Sequence, residues 1–184
     1  MKLLNRILCA VRSTWERALL IPVISMLLFG CQSITSAESV AGSPDAFRIE
    51  RINPSTMVDT KLFGYTQLVT VENARLVFIA GQGPTTLNGP KVAADDLRGQ
   101  ARNAVDNILL ALDAVGAGPE NIVNLRINVV DYNPRMLIDI APELKRLSKD
   151  GVRPPASVFI GVSSLVLPST LIEIETVAAV PVAN

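Results

Sequence analysis

The sequence predicts an α+β fold in which a mixed β-sheet carries two helices on one face. The prediction rests on the order of hydrophobic patterns within residues 47–184: two short β-branched runs, a helical pattern, a strand, a second helical pattern and two final strands. A domain of this size leaves apolar positions on the second face of the sheet. Association into an oligomer would cover that face, so we expect an oligomer.

The first two strands are predicted to form a hairpin. Residues 67–71 and 75–80 are rich in apolar and β-branched side chains, and the turn-tolerant Asn73 lies between them. The second strand ends at Gly81, where the chain reads Gly-Gln-Gly-Pro. A glycine at this point indicates that the backbone turns or closely approaches another group.

Residues 95–115 have the clearest helical pattern, because apolar side chains recur every three or four residues. Asp95 and Asp96 stand in the first turn, where negative charge is favourable against the helix dipole. Gly116 is expected to end this helix.

A second helical region is predicted from Asn133–Pro134 to Lys149. Asn133 stands at the start of this region, where it suits an N-cap. Pro142 falls inside the region and removes a backbone donor, so we expect a kink or two short helices.

The remaining strands carry the polar residues of interest. Residues 122–131 direct apolar side chains to one face and polar side chains to the other, namely Leu125, Ile127 and Val129 against Asn124, Arg126 and Asn128. In the final strand, Glu173 and Glu175 share one face. Placing a carboxylate in so apolar a strand costs free energy unless the carboxylate is paired with another group or takes part in the function. Glu173 and Glu175 are therefore the first candidates for functional residues.

The N-terminal region is predicted to direct export. Residues 1–30 combine four basic residues with an apolar run that is short for a membrane span, as in a signal peptide. Cys31 follows Leu-Phe-Gly, which resembles a bacterial lipobox, so we expect a lipidated, membrane-anchored periplasmic protein. Residues 31–46 are rich in Ser, Ala and Gly and are predicted to be a flexible tether. The alternatives are simple cleavage at a nearby residue, an uncleaved membrane anchor, and a cytosolic protein whose true start codon lies further along the sequence.

Composition excludes several classes of site. The chain has no histidine, and its two cysteines are Cys9 in the leader and Cys31. Disulfides, cysteine nucleophiles, Ser-His triads and thiolate metal sites are therefore excluded from the domain. We expect no cofactor and no metal. Beyond residue 30 the chain has thirteen basic and sixteen acidic residues, which disfavours nucleic acid as a partner.

Six segments together resemble the Rid/YjgF family, whose best-known members are the RidA reactive-intermediate deaminases. They occur in the family's order, and the match extends over about residues 47–182: Gly64–Gln67, Phe78–Gln82, Gln100–Asn107, Val129–Asn133, Arg153–Ser157 and Leu171–Val177. The resemblance implies a chorismate-mutase-like α+β fold, a homotrimer, and a small-molecule cleft between neighbouring subunits. Deaminases of the family hydrolyse imines and enamines without a cofactor.

The resemblance also implies roles for individual residues. Tyr65, Ala80, Gly81 and Asn133 fall at positions that line the family's cleft, and Glu173 falls at the position of the glutamate that orients the attacking water. The family's substrate-gripping arginine is replaced by Ser157. Arg153 is not an obvious replacement, because four residues of extended strand place its Cα about 13 Å away.

Each of these residues also has a simpler interpretation. Glu173 could be a strand glutamate satisfied by a hydroxyl or an arginine across the sheet, and Tyr65 an amphipathic interface residue. An N-cap role explains Asn133 fully, and Ser157 needs no ligand as a strand serine. Glu175 is more simply structural.

Two functions follow. The first is deaminase-like hydrolysis of a small imine-type compound, with an uncharged substrate as one candidate because the arginine is missing. The second is a non-catalytic small-molecule-binding or protein-interaction trimer in the cell envelope. The second gains weight from the predicted export, because enzymes that release enamines are chiefly cytoplasmic. RNA cleavage, an activity associated with the family, is a weak third given the acidic charge and absent histidine.

Overall fold

The computed structural model describes residues 46–182. Within them lie eight strands and helices in the order β1 (Arg48–Ile52), β2 (Leu68–Glu72), β3 (Ala74–Gln82), α1 (Leu97–Asp113), β4 (Ile122–Val130), α2 (Pro134–Leu144), β5 (Ala156–Val162) and β6 (Ile172–Pro181). The predicted leader, most of the tether and the predicted lipidation site Cys31 lie outside the described residues. No helix among residues 46–182 is long and apolar enough to cross a membrane.

The main sheet has four strands in the order β3-β6-β4-β5. The β3–β6 and β6–β4 pairs are antiparallel, whereas β4 and β5 are parallel and are connected through α2. The sheet is therefore mixed, and it carries the predicted α+β architecture.

The predicted hairpin of the first two runs is wrong. β2 pairs with β1, a strand that was not predicted, and β3 pairs with β6. Asn73 alone separates β2 from β3, and its backbone has a φ of 49°. One residue is shorter than the two-residue loop that closes the commonest hairpins, so the chain bends there and each strand finds a different partner.

The core lies between the sheet and the helices. α1 packs on β6 and β3, and α2 packs on α1. The side chains that fill this layer are fully buried and almost all aliphatic, including Val105, Ile108, Leu112, Val129, Ile172 and Ile174. Strand alternation therefore directs the other residues of β4 and β6 to the opposite face, called here the open face of the sheet.

The helix ends follow from local chemistry. The side chain of Asp96 accepts a hydrogen bond of 2.8 Å from the amide of Gly99 and caps α1. At the other end, Gly116 adopts a φ of 67°, and the amide of Ala117 donates to the carbonyl of Leu112 at 2.9 Å. This is the glycine-dependent stop that the sequence predicted.

The second helical region is divided in two. α2 ends at Leu144, and a short 3₁₀ turn, Lys145–Leu147, continues it. Pro142 lies inside α2 just before this change. The region is thus divided as expected, but α2 runs through Pro142 and the change to a 3₁₀ turn comes after the proline.

Candidate functional site

Glu173 lies on the open face of the sheet, close to the end of β3. Its strand neighbours Ile172 and Ile174 are fully buried against the helices, so Glu173 points the other way. Across β4 it stands opposite Asn128. We describe this end of the open face, together with Ala80 and Gly81, as the Glu173 half-site.

Gly81 is in direct contact with Glu173. An alanine Cβ placed at residue 81 would lie 2.6 Å from Oε1 of Glu173 and 2.9 Å from its Cγ, closer than real Cβ contacts allow. Gly81 lies in the part of β3 where the register against β6 is irregular, between Ile79 and Gln82. The close approach expected at Gly81 is therefore to the candidate catalytic carboxylate itself.

Glu175 has partners within the sheet. Nδ2 of Asn128 donates to Oε1 of Glu175 at 3.4 Å, and Nε of Arg126 lies 4.0 Å from the same oxygen. No comparable partner of the Glu173 carboxylate is found among residues 46–182. This contrast agrees with a structural role for Glu175 and leaves Glu173 available for a ligand.

Ser157 lies on the other face of the sheet. In the parallel β4–β5 pair, Ser157 is in register with Leu125, which is 5% exposed and faces the helices. Ser157 lines a cavity of about 760 Å³ between the sheet, the end of α2 and the loop that carries Tyr65. We call this the Ser157 cavity.

The Tyr65 loop is held against the start of β5. The hydroxyl of Thr66 donates to the carbonyl of Pro154 at 2.6 Å, and its amide donates to that of Pro155 at 3.1 Å. The buried hydroxyl of Thr60 donates to the carbonyl of Tyr65 at 2.7 Å. These bonds place Tyr65 beside Ser157, so the structure brings these two predicted site residues together.

Glu173 and Ser157 do not meet within a single chain. β4 separates their strands, and Ser157 is displaced by three residues from Ile160, the residue in register with Asn128 and hence with Glu173. With strands about 4.8 Å apart and a rise of about 3.3 Å per residue, their Cα atoms are about 14 Å apart. Their side chains also lie on opposite faces of the sheet.

Asn133 belongs to neither group. Its Oδ1 accepts a hydrogen bond of 3.1 Å from the amide of Arg135, which makes it the N-cap of α2. It is exposed and lines neither the Ser157 cavity nor the smaller cavity beside it. The N-cap interpretation accounts for this residue.

The sequence matches the protein family described as Endoribonuclease L-PSP across residues 60–180. The chain belongs to this family. It is the Rid/YjgF family that the six segments indicated, and the predicted membership is confirmed.

Two known proteins illustrate the relationship. The chain is 30% identical over 115 residues to a RutC family protein of Pyrococcus abyssi, a match that covers 62% of this chain and 84% of the relative. It is 36% identical to YyfB of Yersinia pestis, a protein of unknown function in the conserved Rid family, with a TM-score of 0.65 over 72% of this chain and 98% of that one. The predicted Rid/YjgF fold is therefore confirmed.

Arg153 serves the fold of this Rid/YjgF domain rather than the Ser157 cavity. Its Nη1 donates to the carbonyl of Arg51 at 3.0 Å. It lines a separate cavity of about 420 Å³ that also includes Tyr65 and Asp59. The Nη2 of Arg51 in turn donates to the carbonyls of Glu120 and Ile122, which ties β1 to the start of β4, and burial lowers the pKa of Arg51.

Two lysines that were not among the predicted site residues, Lys145 and Lys149, line the Ser157 cavity. Nζ of Lys149 lies 3.2 Å from Oε1 of Glu120. A hydrogen bond from its own backbone amide, and the ammonium of Lys149, hold the pKa of Glu120 below its usual value. No sequence signal identified these lysines, because a charged residue near a helix end is normally read as a solvated group.

Among residues 46–182, no group of three or more acidic, cysteine or histidine side chains is arranged to hold a metal ion.

Proposed function

We propose that this Rid/YjgF-family protein forms a homotrimer with small-molecule clefts between subunits, and that each cleft hydrolyses an imine- or enamine-type compound. The observation that carries the proposal is the separation of the predicted site residues into two half-sites. Glu173, Gly81 and Ala80 lie on one face of the sheet, whereas Ser157 and Tyr65 lie on the other. A cleft that contains both groups needs two copies of the chain.

The chemistry assigned to Glu173 is general-base orientation of water. The carboxylate accepts a hydrogen bond from water, whose oxygen attacks the imine carbon while a proton passes to the carboxylate. The resulting carbinolamine receives a proton on nitrogen and expels ammonia, leaving a carbonyl product. Water and imine thus yield ammonia and a ketone or aldehyde, with no cofactor consumed.

Rates of ammonia release from enzymatically generated imines test this proposal. An amino-acid oxidase supplies imines that carry a carboxylate, and an amine oxidase supplies uncharged ones. We expect the protein to accelerate hydrolysis of at least one class about 10²-fold or more, and Glu173→Ala to remove the acceleration. Glu175→Ala is the matched control and should retain it. Equal rates with and without the protein on both classes would exclude the hydrolase.

Ser157→Arg tests the explanation for the missing arginine. The Ser157 cavity has room for the longer side chain, and a guanidinium there can grip a carboxylate in a bidentate manner. We expect this variant to hydrolyse carboxylated imines at least about tenfold faster while uncharged imines are unaffected. If the ratio of the hydrolysis rates for carboxylated and uncharged imines is unchanged, the missing arginine does not explain the substrate preference of this cleft.

A non-catalytic small-molecule-binding or protein-interaction trimer in the cell envelope is the second candidate. It is favoured by two residues at positions that line the family's cleft. The side chain of Asn133 is engaged as a helix cap, and Ser157 offers a hydroxyl where the family's deaminases have a cationic arginine. This candidate predicts ligand binding without ammonia release. RNA cleavage is less favoured, because the net charge beyond residue 30 is negative and the chain has no histidine.

A further inference from the structure

The loop between β3 and α1 is fastened at both ends by two asparagine side chains of α1. Nδ2 of Asn103 donates to the carbonyls of Pro84 and Pro90, at 2.9 Å each. Nδ2 of Asn107 donates to two further carbonyls near the start of the loop, at 3.2 and 2.8 Å. Asn103 is 1% exposed, so this attachment is part of the protein interior. The ends of the loop are therefore fixed, and residues 86–89 form a tip between them.

The tip of the loop carries the only Asn-Gly pair in the sequence, Asn88 followed by Gly89. Both residues are exposed, and neither lies in a helix or strand. Among residues 46–182, the carboxamide of Asn88 has no hydrogen-bond partner, and the amide of Gly89 donates to no group. Where such hydrogen bonds exist in a folded protein, they must open before the side chain and the main-chain nitrogen can react. No bond of this kind within the described residues protects Asn88.

Two other exposed asparagines lack this combination of features. Asn73 is followed by alanine, and its Nδ2 donates to the carbonyl of Ala46 at 3.2 Å. Asn133 is engaged as the cap of α2 and precedes Pro134, whose nitrogen carries no hydrogen. Gly89, in contrast, has no Cβ beside its nitrogen and restricts the backbone least of all residues. The carboxamide that precedes it can therefore be reached by the main-chain nitrogen.

We infer that Asn88 is a site of spontaneous modification, at which the folded chain converts its own asparagine to aspartate and isoaspartate. The backbone nitrogen of Gly89 attacks Cγ of Asn88 and loses its proton, and ammonia leaves, which closes a succinimide ring. Water then opens the ring. Attack of water at Cγ gives aspartate, whereas attack at the main-chain carbonyl carbon of Asn88 gives isoaspartate. Each conversion consumes a water molecule and releases an ammonia molecule, and it needs no other reactant.

The fixed ends of the loop determine what the modification changes. Both products add a negative charge at the tip, and isoaspartate also inserts a methylene into the main chain there. The bonds made by Asn103 and Asn107 hold the loop on the helix side of this change. The domain should therefore keep its fold while its surface acquires a new charge and a new loop shape. Aged and newly made protein would differ in this loop.

Peptide mapping by mass spectrometry of the full-length chain, aged in neutral buffer, tests the inference. We expect Asn88 to acquire the mass of aspartate at least about tenfold faster than Asn73. Isoaspartate is detected by an isoaspartyl methyltransferase with labelled S-adenosylmethionine. Asn88→Gln should remove this label, and Gly89→Ala should slow its appearance about tenfold, because the added Cβ crowds the attacking nitrogen. Asn73→Gln is the matched control and should leave the label unchanged. A label that survives Asn88→Gln would show that the inference is wrong.

A comparison of the folded chain with the chain unfolded in urea tests the part of the inference that depends on the structure. Because no hydrogen bond protects Asn88, its conversion should be at most about threefold slower in the folded chain, whereas folding should slow Asn73 more strongly. If folding slows Asn88 as much as Asn73, a second copy or another part of the chain covers the loop, and the inference is overturned.

Two measurements separate this modification from the proposed hydrolysis. Ammonia released by Asn88 stops at a single equivalent per chain, needs no imine and persists in Glu173→Ala. Asn88→Asp carries the added charge from the start, and it should match the unmodified chain in circular dichroism and in its urea midpoint. A lower midpoint for this variant would show that the domain does not tolerate the charge, and it would contradict the inferred persistence of the fold.

Discussion

The contact between Gly81 and Glu173 gives the candidate catalytic carboxylate its position. A side chain at residue 81 would occupy the space in which Oε1 and Cγ of Glu173 lie. The glycine is therefore needed for close approach rather than for an unusual backbone angle. This contact connects two features that the sequence marked separately, a glycine near the end of a strand and an acid in an apolar strand.

Gly81→Ala should move the carboxylate without unfolding the protein. The atoms in the way are the end of a flexible side chain, so we expect a loss of less than about 1 kcal/mol in the free energy of unfolding. Any imine hydrolysis should fall towards the rate of Glu173→Ala, and the double variant should be no slower than that single variant. Urea unfolding and ammonia release measure the two effects.

Gly83→Ala is the matched control for this prediction. A Cβ at residue 83 would meet its nearest neighbours, in Thr170 and Ile172, at ordinary distances of 3.6 and 3.7 Å. It should therefore retain both stability and any activity. Equal effects of the two substitutions on ammonia release would contradict the positioning role of Gly81.

At the scale of elements, α2 connects the parallel strands β4 and β5 and forms one wall of the Ser157 cavity. It begins at the cap provided by Asn133 and ends in the 3₁₀ turn that starts at Lys145. The same short segment thus begins with Asn133, a residue predicted to line the cleft but used here as a helix cap, and is followed by a lysine at the cavity. Neither role can be read from the hydrophobic pattern of the helix, which reports only the apolar face.

Asn133→Ala tests whether this residue acts as a cap. Loss of the bond to the amide of Arg135 should lower the free energy of unfolding by about 1 kcal/mol. Asn133→Asp keeps an acceptor and adds favourable charge at the helix start, so it should restore most of the stability. Both variants should release ammonia from imines at the rate of the unmodified chain. A change in that rate larger than about threefold, without a change in stability, would show that Asn133 contributes to the cleft.

The strand pairing was the part of the fold that local patterns predicted least well. The runs that became β2 and β3 were recognisable as strands, but their partners were not, because pairing depends on loop length and on what is available elsewhere in the chain. β1 escaped notice because its Arg-Ile-Glu-Arg-Ile pattern is half charged and only five residues long. Both ends of α1 and the start of α2 were predicted within about two residues, since caps and glycine stops are local features. The end of α2 was not, because α2 stops at Leu144 and not at the predicted Lys149.

At the scale of the whole molecule, the open face of the sheet carries exposed apolar side chains. Phe78 is 76% exposed and Leu76 45%, while their strand neighbours Val77 and Ile79 pack against the core. Val158 of β5, also on the open face, is 42% exposed. A sheet face of this kind is usually covered by a partner, and the proposed homotrimer provides one.

Phe78→Lys should weaken the proposed trimer without harming the fold of a protomer. Burial of a lysine in an interface centre is costly, whereas the exposed position tolerates it in a monomer. We expect sedimentation velocity to show a trimer for the unmodified chain and smaller species for the variant, with unchanged circular dichroism. Leu87→Lys, at a loop residue that is 96% exposed, is the control. A trimer that survives Phe78→Lys would place the interface elsewhere.

The sequence by itself determined the family, the fold class, the ends of α1, the start of α2 and the chemical types available to a site. These follow from short-range patterns: spacing of apolar residues, capping side chains, glycine stops, and the absence of histidine and thiols from the domain. Export and lipidation of Cys31 stay predictions from the same kind of pattern, which labelling with palmitate would test.

Only the tertiary structure decided which of these residues meet. Whether two strand residues share a face depends on the register between strands distant in sequence, and that register separates Glu173 from Ser157 by about 14 Å and a sheet. It also brings Gly81 onto Glu173 and Lys145 into the cavity of Ser157. Such proximities are set by how the layers pack, and no local pattern encodes them.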